Sequence, residues 1–139
     1  MGEALSGKVI GIIGRGTPGM RAVAVALAED GADIALGTVS PSREEEFASA
    51  SIANEVWAIG REQLSQVLDA SDAAAVEAFA ARVRAELGEC AALLVIGDGV
   101  VQTGGFVRVF PEVVIARIAE GNPEQMVAEA REAVPSTKH

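Results

Sequence analysis

Apolar positions along this chain follow two periods, and the alternation between them orders its elements. Short apolar runs at Lys8–Ile13, Asp33–Gly37 and Ala91–Ile96 read as strands, the last so continuously apolar that it predicts burial on both faces. Between them the apolar residues recur at helical spacing. Met20, Val23, Ala24 and Leu27 share one face of a helix over Pro18–Asp30, with Gly31 as its C′ residue. Ser42 opens a second helix running to about Gly60. Ser42-Arg43-Glu44-Glu45 has the form of a capping box, and Ile52, Val56 and Ile59 mark a buried stripe. A third strand is expected at Gln66–Leu68. Ser71 or Asp72 then caps a helix to Leu87 whose inward face is Val76, Phe79, Ala80, Val83 and Leu87.

Strands separated by helices imply a parallel sheet with crossover connections, and four βα units can be placed in this way. Beyond Ile96 the pattern is less regular. Thr103-Gly104-Gly105 reads as a loop and Pro111 as the start of a helix. Asn122-Pro123 bends that helix, because proline lacks an N–H and turns its predecessor away from helical geometry. Glu124–Val134 reads as helical again, and Pro135 stops it.

With 139 residues, half of them apolar, the chain is expected to form a single domain over residues 1–139 around one core. Its net charge of −9 argues against nucleic acid or an anionic membrane as the main partner. No basic-then-apolar leader and no apolar run of membrane-spanning length is present, so a cytoplasmic location is the expectation. The single Cys90 reads as buried filler rather than a nucleophile, since His139 is the only histidine. Glu44, Glu45 and Glu46 read as the solvated first turn of a helix, favoured there by the dipole, and not as a metal site.

The candidate chemistry lies in Gly14-Arg15-Gly16-Thr17-Pro18-Gly19, between the first strand and the first helix. Its G-x-G-x-x-G spacing is that of a dinucleotide-binding turn, in which the glycines permit a tight turn, a bare backbone against a pyrophosphate and close helix packing. Thr17 and Pro18 suit the N-cap and first helical position, so free N–H groups and the positive dipole end would face an anion. The competing reading is a turn kept only for packing. An acid at the end of the second strand would hold the ribose hydroxyls of NAD, but Thr38 stands there. Arg15 and Arg43 are cations suited to a 2′-phosphate, so NADP is preferred over NAD as the cofactor.

Taken together, these segments resemble the short-chain dehydrogenase/reductase family. LSGKVIGIIGRGTPGMRAVAVALAEDGADIAL is similar to its first βαβ unit, and VLDASDAAAVEAFAARVRAELGECAALLVIGDG to its third strand, next helix and fourth strand. The resemblance implies a three-layer α/β/α Rossmann-like fold with a four-stranded parallel sheet in the order 3-2-1-4. It puts Asp69 near an adenine ring, although capping the next turn is the competing role. Gly97-Asp98-Gly99 falls at the family's Asn-Asn-Ala-Gly, which makes Gly97 and Gly99 cofactor-site candidates. Pro111-Glu112 resembles the Pro-Glu before the active-site helix; Arg131 and Asn122 line up with an arginine and the catalytic asparagine, Asn122 having a helix-end role as the alternative.

Three departures limit the resemblance. The family's turn is T-G-x-x-x-G-x-G, whereas Pro18 and Met20 stand at two of its glycines and Ile13 at its threonine. Asp98 brings a carboxylate towards the cleft. The sequence ends at His139, where the family enters its fifth strand, and it contains no tyrosine for the Tyr-x-x-x-Lys acid/base pair. Lys138 follows no tyrosine either. A truncated sheet would leave the fourth strand with an unpaired edge. A homodimer through that edge or the adjacent helices, a second kind of subunit, or the chain's own C-terminal segment would cover it. Three functions stay open: a nucleotide-binding module without dehydrogenase activity alone, the cofactor half of a split oxidoreductase, and a non-binding structural or regulatory protein.

Overall fold

The computed structural model describes residues 4–135; Lys138 and His139 lie outside the described residues. The strands are β1 (Val9–Ile13), β2 (Asp33–Gly37), β3 (Gln63–Gln66), β4 (Cys90–Ile96) and β5 (Val114–Ile118). Five helices follow them in turn: α1 (Pro18–Glu29), α2 (Arg43–Ile59), α3 (Ala73–Glu86), α4 (Gly104–Val109) and α5 (Pro123–Ala133). All the strand pairings are parallel, in the order β3-β2-β1-β4-β5. Every residue of β1 is buried, as a strand covered on both faces requires.

Side-chain alternation divides the core into two layers. Ile10, Ile12, Ile34, Leu36 and Leu94 face α1, α2 and α5. Val9, Ile13, Ala35, Leu93 and Val95 face α3 and α4, where Phe79, Phe106 and Phe110 form a chain of tilted rings. The helix after β1 and the helix after β4 therefore lie on opposite faces. Their divergence opens a crevice at the C-terminal ends of β1 and β4.

The sheet has five strands rather than the expected four. The fifth comes from the segment expected to continue a helix from Pro111. Val113, Val114 and Ile115 favour extended backbone, and Val114 enters register opposite Ala92 of β4. Val113, Val114 and Ile115 are consecutive and carry no period of their own, so a short apolar run of this kind is ambiguous without its partner strand. β4 is thus covered by the chain's own C-terminal segment, which removes the reason for placing a dimer on the fourth-strand edge. The expected loop at Gly104-Gly105 is instead the start of α4, drawn in by burial of Phe106 and Phe110. β3 lies ahead of its expected place, with Leu64 opposite Ala35. Trp57 is 69% exposed on α2.

Phe106 contacts both Phe79 and Phe110, at centroid distances of 5.9 and 5.3 Å, and is fully buried. Phe106→Ala is expected to cost about 3–5 kcal/mol in urea unfolding. A loss below about 1 kcal/mol would show that α4 is not integral to the core.

Candidate functional site

β1 ends beneath the glycine turn, where the N–H of Gly14 donates to the carbonyl of Gly37 at 3.1 Å. Gly16 turns the chain with φ +77°, a conformation that disfavours any side chain. Thr17 caps α1 by accepting from the Met20 N–H at 3.2 Å, and Pro18 occupies its first turn. The turn is filled from within. The Gly16 N–H donates to Met20 Sδ at 3.2 Å, and a Cβ on Gly14 would lie 2.6 Å from the same sulfur. A Cβ on Gly16 would strike Ala48 of α2, and one on Gly19 would strike Met126 of α5. Gly16 is fixed as glycine by its backbone and by Ala48, whereas at Gly14 and Gly19 the nearest atoms are the ends of methionine side chains.

An acid stands at the mouth of the crevice. Glu120, just beyond β5, accepts from the Thr17 hydroxyl at 2.7 Å, and its side chain reaches over Gly97. Its carboxylate thus occupies the place at the N-terminus of α1 where an anion is favoured. Gly97 has φ +90° and donates its N–H to Ile118, while its carbonyl accepts from Arg117 at 2.6 Å. Gly97, Asp98, Arg117, Ala119 and Glu120 line an open pocket of about 500 Å³.

A second acid stands at the end of β2. Thr38 is fully buried there, its hydroxyl donating to the Leu68 carbonyl and accepting from the Leu68 N–H, both at 2.8 Å. These bonds splice β2 to the segment after β3. The acid is Glu45, only 7% exposed. Ser42 caps α2 by accepting from the Glu45 N–H, but the Glu45 side chain reaches past Ser42. One oxygen accepts from the N–H groups of Val39 and Ser40 at 2.9 and 3.0 Å; the other accepts from the Ser40 hydroxyl at 2.7 Å and Arg15 Nη1 at 2.8 Å. Burial pushes the Glu45 pKa up, but the bonds from Ser40, Val39 and Arg15 outweigh it and hold the carboxyl below its ordinary value.

Arg15 also approaches Gly99, whose open side meets Val39 as well. The structure therefore gathers Gly14, Arg15, Gly16, Thr17, Gly19, Gly97 and Gly99 around one crevice. Arg43 instead lines a separate shallow pocket with Glu46, Phe47 and Ala50. Asp69 accepts from the Ser71 N–H and hydroxyl at 3.0 and 2.6 Å, and those bonds lower its pKa. Asn122 is the N-cap of α5, accepting from the N–H groups of Glu124 and Gln125. Arg131 pairs with Asp30 through two bonds that tie α5 to the end of α1. Cys90 is buried, and burial pushes its thiol pKa up to about 11. Among the described residues there is no metal-binding cluster and no helix long and apolar enough to cross a membrane. Sequence reasoning missed Glu45 and Glu120 as crevice residues; the Ser42-to-Glu45 spacing of a capping box assigns Glu45 a local role instead.

Strand order and crevice together define the fold class: this is a Rossmann-like fold, similar to that of solved short-chain dehydrogenase/reductases. No protein-family model and no curated protein matches the chain. Among solved structures, the blue fluorescent protein from a metagenomic library, in complex with NADPH, is 29% identical over 66% of this chain and 36% of its own, with a TM-score of 0.61. Hydroxysteroid dehydrogenase from Escherichia coli superposes with a TM-score of 0.70 at 18% identity, over 94% of this chain and 66% of its own. A metagenomic short-chain oxidoreductase in complex with NADP does so with a TM-score of 0.64 at 17% identity, over 92% of this chain and 90% of its own. The chain spans 36% and 66% of the length of the first two.

Because the folded-state pKa of Glu45 is depressed, its stabilisation is complete above the unfolded glutamate value of about 4.3 and is lost as pH falls through the lower folded value. Glu45→Gln is expected to cost about 1.5–3 kcal/mol at pH 7. The gap from the unsubstituted protein should close as acid protonates Glu45. Denaturant titrations from neutral pH to pH 3 measure it, and a gap that stays constant with pH would contradict the charged role.

Proposed function

We propose that this chain is a nucleotide-binding module of the NAD(P) class that performs no hydride transfer by itself. The observation that carries this reading is the glycine turn and α1 N-terminus beside the β1/β4 crevice. Solved neighbours of this fold are described in complex with NADPH and NADP, which supports the ligand class. In this reading Gly14, Gly16, Thr17 and Gly19 meet the pyrophosphate, while Asp69, Gly97 and Gly99 border the adenosine side. The Glu120 side chain is exposed and swings away as the phosphates enter. The sequence contains no tyrosine, so it supplies no Tyr-x-x-x-Lys pair for acid/base chemistry.

A second reading is a structural or regulatory protein whose crevice takes no nucleotide. Met20 on the Gly16 N–H, Glu120 on Thr17 and Arg15 across to Gly99 favour it, because all three fill the space a cofactor would need. Either reading includes association with a second subunit. With β4 covered, the unpaired edge on that side of the sheet is β5, where Val114 and Ile115 are exposed.

Calorimetric titration with NAD, NADP and ADP-ribose separates the two readings. The first expects saturable heat with at least one of them, and Glu120→Gln should tighten binding about threefold to tenfold by removing a like charge from the α1 N-terminus. Absence of heat and of any melting shift at millimolar ligand eliminates the first reading and leaves the second.

A further inference from the structure

We propose that Glu45 makes the crevice select a nucleotide with a free 2′-hydroxyl over its 2′-phosphorylated counterpart. This inference rests on the nucleotide-binding reading above, and it reverses the preference for NADP that Arg15, Arg43 and the lack of an acid at Thr38 suggest from sequence.

The donors at the end of β2 form a cradle for an anion: two consecutive backbone N–H groups, one hydroxyl and one guanidinium. A 2′-phosphate beside Arg15 would call on these same donors. Glu45 already takes all of them. A carboxylate has about four lone-pair positions, and here each is used, two by Val39 and Ser40 N–H and two by Ser40 Oγ and Arg15. The pair with Arg15 also offsets the positive charge that Arg15 would present to a phosphate. Its carboxylate side is buried, with side-chain exposures of 53% for Arg15 and 9% for Glu45.

A 2′-phosphate carries a charge of about −1.5 to −2 near neutral pH. To bind, it must either lie against the Glu45 carboxylate or expel it from its donors. Both routes are costly in a partly desolvated site. A 2′-hydroxyl is neutral and small, so it meets no such opposition and needs no cation. The selectivity thus arises by exclusion, from an acid delivered by α2 rather than by the last residue of β2.

The test compares ADP-ribose with 2′-phospho-ADP-ribose by calorimetry on the full chain, with melting temperatures recorded for every variant. The unsubstituted protein is expected to bind ADP-ribose at least tenfold more tightly. Glu45→Ala empties the cradle beside Arg15 and should move the ratio at least tenfold towards the 2′-phosphate. Should Glu45→Ala fail to fold, Glu45→Gln, which keeps an acceptor but removes the charge, should move the ratio in the same direction by a smaller factor. Equal or tighter binding of 2′-phospho-ADP-ribose by the unsubstituted protein overturns the proposal, as does a ratio unchanged in the folded variants. If ADP-ribose binds and only the discrimination is missing, the nucleotide-binding reading survives; if neither ligand binds, both fall together.

Discussion

The left-handed backbone at Gly16 sets the geometry of the sheet's C-terminal edge. With no side chain at this turn, α2 lies directly against it, and the Ala48 methyl occupies the space a Cβ would claim. That approach fixes the rotation of α2. Glu45, Ser49, Ile52, Ala53 and Val56 then fall on its buried face, at the spacing one helical stripe requires. Most of this stripe meets β2 and α1, but its first member extends beyond the apolar core and reaches the end of β2. A packing constraint at one glycine therefore delivers a carboxylate to the crevice, next to the arginine that precedes that glycine.

The two acids at the crevice arrive from opposite flanks of β1, Glu45 from the β2 side and Glu120 from the β5 side, and do different things. Glu45 completes a closed set of hydrogen bonds and neutralises Arg15. Glu120 rides on the turn between β5 and α5, in the favourable field at the start of α1. It depends on β5 pairing with β4, because that pairing brings the end of β5 beside Gly97. The fifth strand is thus more than an edge cover: it carries the residue that faces Thr17. The link between Arg131 and Asp30 fixes the far end of α5 and so holds this arrangement from the other side.

The first βαβ unit was legible because its signals are local: a buried run, an N-cap with proline, and a glycine after the helix. Strand order carries no local signal, and its first four places, 3-2-1-4, came from the family resemblance. β5 was not legible, since Val113–Ile118 carries no turn signal that separates it from a helix after Pro111, and its burial is supplied by β4. Glu45 was hidden for a related reason. Ser42 and Glu45 satisfy a capping box in sequence, and only the fold shows that the side chain serves Val39, Ser40 and a residue thirty positions away in the chain.

The two acids also differ in how readily they give way. The bond between Glu120 and Thr17 is exposed, and an exposed pair of this kind contributes at most about 1 kcal/mol. Breaking it leaves both groups in water, so an entering phosphate displaces it at little cost. Glu45 is buried with four donors, and separating a buried charge from its partners costs about 3–5 kcal/mol. A ligand that had to open both sites would see its affinity reduced by the small population in which Glu45 is released. A ligand that displaces Glu120 and leaves Glu45 in place meets only the smaller cost. In the proposed nucleotide-binding reading, a pyrophosphate at α1 therefore costs less to admit than a second phosphate at β2.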